Sequence, residues 1–144
     1  MTMNKEQIMQ VIPQRDPILL VDEVLEMENG KSIKAKFHAS VDMDVFRGHF
    51  PGAPVLPGVL AVEIIAQVAD ILLLSFDKYA GKLPYFIGID KAKFKKKIEP
   101  GDTVTIEVTL TQDIEEKAIC ICDGTIFNAA GEVATVAQVA LAMR

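Results

Sequence analysis

Residues 48–67 read GHFPGAPVLPGVLAVEIIAQ, and the reading of this stretch decides the fold. Prolines at 51, 54 and 57 stiffen the approach to an apolar run that holds one carboxylate, Glu63. Proline fixes φ and keeps the residue before it out of the helical region, so the helix is expected to open at Gly58, just past Pro57. The run Val59–Leu74 is apolar nearly all round, and such a helix must be covered nearly all round. Its length approaches one membrane span, but Glu63, Gln67 and Asp70 interrupt it. An acidic group at the centre of a span costs about 2.5–3.5 kcal/mol on insertion scales, which favours a core helix.

The flanking sequence supplies the cover. Asn4–Ile12 predicts a short helix with Asn4 as N-cap, Gln7 at the capping-box position and Pro13 as the stop. Ile18–Glu28 reads as a strand, Asn29-Gly30 as a tight turn, and Lys31–Ala39 alternates Ile33, Ala35 and Phe37 with Lys34, Lys36 and His38. His38 therefore falls on a solvated face. Tyr85–Lys97 ends by alternating Ala92 and Phe94 with lysines, Pro100-Gly101-Asp102 makes a turn, and Val104, Ile106, Val108 and Leu110 alternate with polar residues. Ala118–Phe127 and Glu132–Met143 are two more strands, the last apolar on both faces as a central strand is. Antiparallel strands plus one apolar helix give an α+β fold, a curved sheet wrapped about that helix, in a single domain over residues 1–144.

Composition narrows the function. The 144 residues carry a formal net charge of −5, without the positive field that non-specific nucleic-acid binding needs. No nucleic-acid partner is expected. The N-terminal residues lack the apolar core of a signal peptide, so a cytoplasmic setting is expected, with no membrane association. Cys120 and Cys122 lie two apart in a strand, which fits buried thiols in a reducing compartment. A zinc site needs four ligands and only His38 and His49 remain, so no metal is expected.

The chemistry concentrates in the opening stretch. Glu63 and Gln67, four apart, share a helix face, with Asp70 near the same stripe. Burial favours the protonated form of a carboxyl, which lets it act as an acid, although a structural carboxylate tied to Gln67 explains Glu63 alone equally well. His49 precedes the proline-stiffened loop, and imidazole, which titrates at about 6.5, is a base at neutral pH. Gly58 would leave a backbone N–H unpaired at the positive end of the helix, able to polarise a carbonyl oxygen. A base, an oxyanion donor and an acid are what proton abstraction next to a carbonyl and loss of a β-hydroxyl require. Spacing alone does not make them converge.

The run G-H-F-P-G-x-P-V-L-P-G-V-L, with Glu63 five residues after Gly58 and Gln67 four later, resembles the β-hydroxyacyl-acyl-carrier-protein dehydratases of the FabZ type. Residues 19–24 (LLVDEV), 88–94 (GIDKAKF) and Pro100-Gly101-Asp102 extend the likeness over nearly the whole chain. The resemblance implies a hotdog fold, assembled as a homodimer or a trimer of dimers, with His49 of one subunit facing Glu63 of the other beside an acyl tunnel. It further implies that His49 is the general base, Glu63 the general acid and Gly58 the thioester-oxygen donor. Phe50, Val59, Gln67, Tyr85 and Phe86 would contact substrate, Tyr85 and Phe86 lining or gating the tunnel. The implied reaction turns a (3R)-hydroxyacyl thioester into the trans-2-enoyl thioester without a cofactor. The phosphopantetheine belongs to the acyl carrier protein, an acidic partner for the cluster Lys91, Lys93, Lys95, Lys96 and Lys97. One segment departs from the family, Gln14-Arg15-Asp16-Pro17-Ile18, where His-Arg-Tyr-Pro and an aromatic are usual. Alternatives are a dehydratase with 2,3-isomerase activity, a thioesterase, and a non-catalytic acyl-thioester-binding protein.

Overall fold

A computed structural model describes residues Met1–Arg144. The elements run α1 (Lys5–Val11), β1 (Glu23–Glu28), β2 (Ser32–His38), α2 (Val45–Gly48), α3 (Gly58–Leu74), β3 (Pro84–Phe94), β4 (Thr103–Ile114), a 3₁₀ turn (Glu115–Lys117), β5 (Ile119–Phe127) and β6 (Val133–Met143). The strands form one antiparallel sheet in the order β1-β2-β4-β5-β6-β3. It curls about α3, whose residues are buried without a break from Ile64 to Leu74. This is the hotdog arrangement, and it follows from the apolar circumference of α3: a flat sheet covers one side of a helix, a curled one covers most of it.

Local signals act where expected. Asn4 Oδ1 accepts from Gln7 N–H and Gln7 Oε1 accepts from Asn4 N–H, closing the capping box of α1. Ile33, Ala35 and Phe37 are buried along β2 while His38 is exposed, its Nδ1 paired with Thr103 Oγ1. β6 is interior, between β5 and β3. Cys120 and Cys122 are both buried free thiols. Burial pushes the Cys120 thiol up to about 11 and raises Cys122 as well, so both stay protonated and inert.

One glycine sets how closely helix and sheet approach. A Cβ on Gly124 of β5 would lie 2.2 Å from Ile65 Cγ2 of α3. Any larger residue there separates the two layers.

Two strands differ from the sequence reading. β1 begins at Glu23, not Ile18, because backbone groups of Ile18 and Leu20 are claimed by Gln67 of α3 and the segment lies over the helix instead of pairing. In β3 the alternation of Ala92 and Phe94 with lysines does not become inside and outside. Lys91 takes φ +54°, the register slips between Asp90 and Lys93, and every residue from Ile89 to Phe94 is exposed. β3 is also an edge strand, with Tyr85, Ile87 and Ile89 more than half exposed.

Candidate active site

His49 closes the short helix α2, its N–H bonded to Val45 O, and the loop that follows folds back on it. Val55 N–H donates to His49 O at 2.8 Å, and His49 Nδ1 lies 2.9 Å from Val55 O. A carbonyl oxygen only accepts, so Nδ1 carries a proton, and the tautomer this selects has its lone pair on Nε2. The Phe50 ring stacks on the imidazole at 4.1 Å between centroids. The loop fixes the ring's tautomer and its plane.

Pro57 caps α3 in an extended conformation and offers no side chain to the first N–H groups. Its carbonyl accepts from Leu60 and Ala61, and Gly58 N–H, ahead of the first intrahelical bond, has no backbone acceptor. A cavity of about 580 Å³ opens at this point, lined by His49, Val55, Gly58, Val59, Phe94 and Lys95–Lys97 among others. A Cβ on Gly58 would sit 2.9 Å from the Phe94 ring, so the glycine is what lets that ring pack directly against the start of the helix. His49 and Gly58 therefore share one cavity.

Glu63 does not line it. At about 100° per residue it sits some 140° around the helix from Gly58. It is partly buried, and Gln67 Nε2 donates to its Oε2 at 2.8 Å. The other Gln67 bonds run to the segment covering the helix: Nε2 to Ile18 O at 2.7 Å and Leu20 N–H to Oε1 at 2.9 Å. Gln67 has no solvent exposure and every polar atom is engaged, so it holds Glu63 in place instead of offering a free contact to substrate. The wholly buried carboxyl of this stripe is Asp70, which is 2% exposed. Burial pushes it well above the ordinary carboxylate range, Gln14 Nε2 opposes with a hydrogen bond to Oδ2 at 2.8 Å, and the charge of Glu63 adds to the rise.

The remaining expected residues divide. Phe50 and Val59 are exposed, at 55% and 77%, beside the His49 cavity. Tyr85 lies elsewhere, on a cleft of about 270 Å³ shared with Pro13, Gln14, Leu83 and Pro84. Phe86 packs against the core. Val55 and Phe94 were not picked out as site residues from the sequence, and Gln14 only as a departure from the family's usual segment. Phe94 belongs to the quoted GIDKAKF segment and so had a signal, whereas Val55 acts through its carbonyl and had none.

A FabA-like domain model matches residues 12–137. The chain belongs to the FabA-like family. Relatives named 3-hydroxyacyl-(acyl-carrier-protein) dehydratase FabZ include one from Oenococcus oeni, 50% identical over 108 residues, covering 75% of this chain and 78% of its own length. The FabZ of Caldicellulosiruptor bescii is 42% identical over 127 residues, covering 85% of this chain and 91% of that protein. Among solved structures, the dehydratase heterocomplex ApeI:P of Xenorhabdus doucetiae superposes with a TM-score of 0.80 at 18% identity, over 95% of this chain and 90% of that one. At that identity the last comparison supports the hotdog fold alone.

Proposed function

We propose that this FabA-like protein dehydrates (3R)-hydroxyacyl thioesters carried on acyl carrier protein to the trans-2-enoyl thioesters of fatty acid biosynthesis. The observation that carries the reading is the cavity where Nε2 of His49, freed by the Val55 carbonyl, and the unpaired Gly58 N–H lie together. His49 Nε2 removes the C2 proton as the thioester oxygen takes up charge at Gly58 N–H, where the helix dipole adds its partial positive charge. Glu63, as the acid, passes a proton to the C3 hydroxyl, which leaves as water, and the C2–C3 double bond forms. The proton on His49 then returns to Glu63 or to solvent and resets the pair. These steps need neither metal nor redox cofactor.

Because Glu63 does not line the cavity of its own chain, we assign the acid at each site to a second copy of the protein. The exposed apolar residues Tyr85, Ile87 and Ile89 on an edge strand, with Phe50 and Val59 beside the cavity, support an interface there. Lys95 and Lys97 line the cavity just past β3 and make no ion pair, and Lys91 and Lys93 on β3 make none either. A carrier protein that is itself acidic would dock there, delivering the acyl group over the cavity. No helix is long and apolar enough to cross a membrane. We place the activity in the cytoplasm, where Cys120 and Cys122 stay reduced.

The test follows enoyl absorbance during interconversion of crotonyl and 3-hydroxybutyryl thioesters on carrier protein. Wild type interconverts them, and His49→Ala and Glu63→Gln each lose about 100-fold or more with folding intact. Full activity in both variants would remove the assigned base and acid. Release of free thiol in place of an enoyl product would favour a thioesterase, and thioester binding without turnover an acyl-binding protein.

A further inference from the structure

Two buried side-chain atoms lack a hydrogen-bond partner, Gln14 Oε1 and Asp70 Oδ1, and they belong to the two residues joined by the Gln14 Nε2 to Asp70 Oδ2 bond. Both orphans are acceptors when Asp70 is ionised, so no rotation of either group pairs them. One proton on Asp70, shared between the two oxygens, would satisfy both. Flipping the Gln14 amide would only set its oxygen against Oδ2 and leave the amide N–H groups without that acceptor.

We propose that Asp70 is held as the neutral acid, its Oδ1–H donating to Gln14 Oε1 while Gln14 Nε2 donates to Oδ2, and that this two-point pair positions residues 14–20 over α3 and, through them, Gln67 and Glu63. The connection is short in sequence. Gln14 begins the segment whose Ile18 O and Leu20 N–H grip Gln67, and Gln67 in turn grips Glu63. Asp70 does not touch substrate in this account; it is a positioning residue. Nothing cationic offsets an ionised Asp70. The ionisable groups acting with it are Glu63 on its own helix and the Cys122 thiol on β5, while Arg15, beside Gln14, spends its guanidinium on the carbonyls of Met9, Ile12 and Gln14. Burial favours the same neutral form. Gln14 is one of the residues that depart from the family's usual early segment, so the pair belongs to this chain's own variation.

The pair makes an unusual demand on substitution. Asn imitates the neutral acid, since its amide both donates to Gln14 Oε1 and accepts from Nε2. Asp70→Asn also removes the cost of keeping a carboxyl neutral while the unfolded chain ionises it at about 3.9. Because the folded value is raised, the stability Asp70 contributes is complete below that range and is lost as pH rises through the folded value. Asp70→Asn is therefore expected to melt with wild type near pH 4 and increasingly above it towards pH 8.

The experiment combines three readouts on the full chain: infrared difference spectra of wild type against Asp70→Asn at pH 7, melting curves of both from pH 4 to 8, and turnover of wild type, Asp70→Asn and Asp70→Ala. The expected results are a protonated-carboxyl band that Asp70→Asn removes, a widening melting gap in its favour, and a loss of about tenfold or more in kcat for Asp70→Ala that Asn restores. No such band, together with Asp70→Asn melting below wild type at pH 8, overturns the neutral pair. Unchanged kcat in a folded Asp70→Ala overturns the positioning role. Only the turnover arm rests on the dehydratase reading, so an inactive wild type refutes that reading while the spectra and melts still decide the pair.

Discussion

At its first turn helix α3 leaves Gly58 N–H without an acceptor beside an open cavity, whereas two and a half turns on it engages every polar atom of Gln67 inside the core. One end is unfinished and faces outward. The middle of the helix is finished within the chain, where Gln67 holds Glu63. Catalysis by proton transfer needs both conditions, free groups where charge develops and fixed groups where geometry must be kept. Gly58 and Glu63 lie about 140° apart around the helix, so one chain presents them to different sides, as the proposed division between two chains requires.

The sharpest break with this contrast comes from removing chemistry at the open end. His49→Ala is expected to cut turnover by about 100-fold or more, with a melting temperature near wild type, because the ring is held by a surface loop and not by the core. Stopped assays of enoyl formation beside melting curves check it. The opposite signature is expected deep in the layer between helix and sheet. Gly124→Ala forces a methyl against Ile65 and should destabilise by about 1–3 kcal/mol, lowering the melting temperature while each folded molecule keeps its rate.

A smaller effect sharpens the open end. Lys95→Glu with Lys97→Glu is expected to lower kcat/KM roughly tenfold on carrier-protein thioesters at low salt, and to leave short surrogate thioesters nearly unaffected. Equal losses on both substrates would move the lysines from docking to chemistry. The smallest effect lies far from the site, where Asp113 of β4 accepts from Tyr79 OH at 2.6 Å and from Lys78 Nζ. Burial raises the Asp113 carboxyl, but hydrogen bonds from Lys78, Tyr79 and Cys120 outweigh it and hold it below the ordinary range. A lowered folded value gives stability that is present above the ordinary carboxyl range and lost as pH falls through the folded one. Asp113→Asn should therefore flatten the acid limb of the melting profile below about pH 4 and leave the rate at pH 7 alone.

What could be read from the sequence follows the range of the interaction. The capping box of α1, the hairpin turn at Asn29-Gly30 and the apolar circumference of α3 are local patterns, and each produced the expected element. The start of β1 was misread because the grip of Gln67 on Ile18 and Leu20 spans almost 50 positions and leaves no local trace. Burial on the polar stripe was also misplaced. Periodicity put Glu63, Gln67 and Asp70 on one face, but Asp70 is buried and bonded to Gln14, 56 positions away, while Glu63 is only partly buried, and no local pattern shows that. His49 was found through the stretch that resembles the family, whereas the Val55 carbonyl that sets its tautomer is a backbone group no side-chain pattern announces.

The division of the machinery between two chains is tested most directly by mixing subunits. His49→Ala and Glu63→Gln, each nearly inactive alone, are unfolded together, refolded as a one-to-one mixture and assayed. If each site joins His49 of one chain to Glu63 of another, half of the dimers are mixed and each of those holds one intact site, so roughly a quarter of the wild-type rate returns. A mixture no more active than its two parents, with mixed dimers confirmed by mass, would place both residues of a site on one chain and contradict the account.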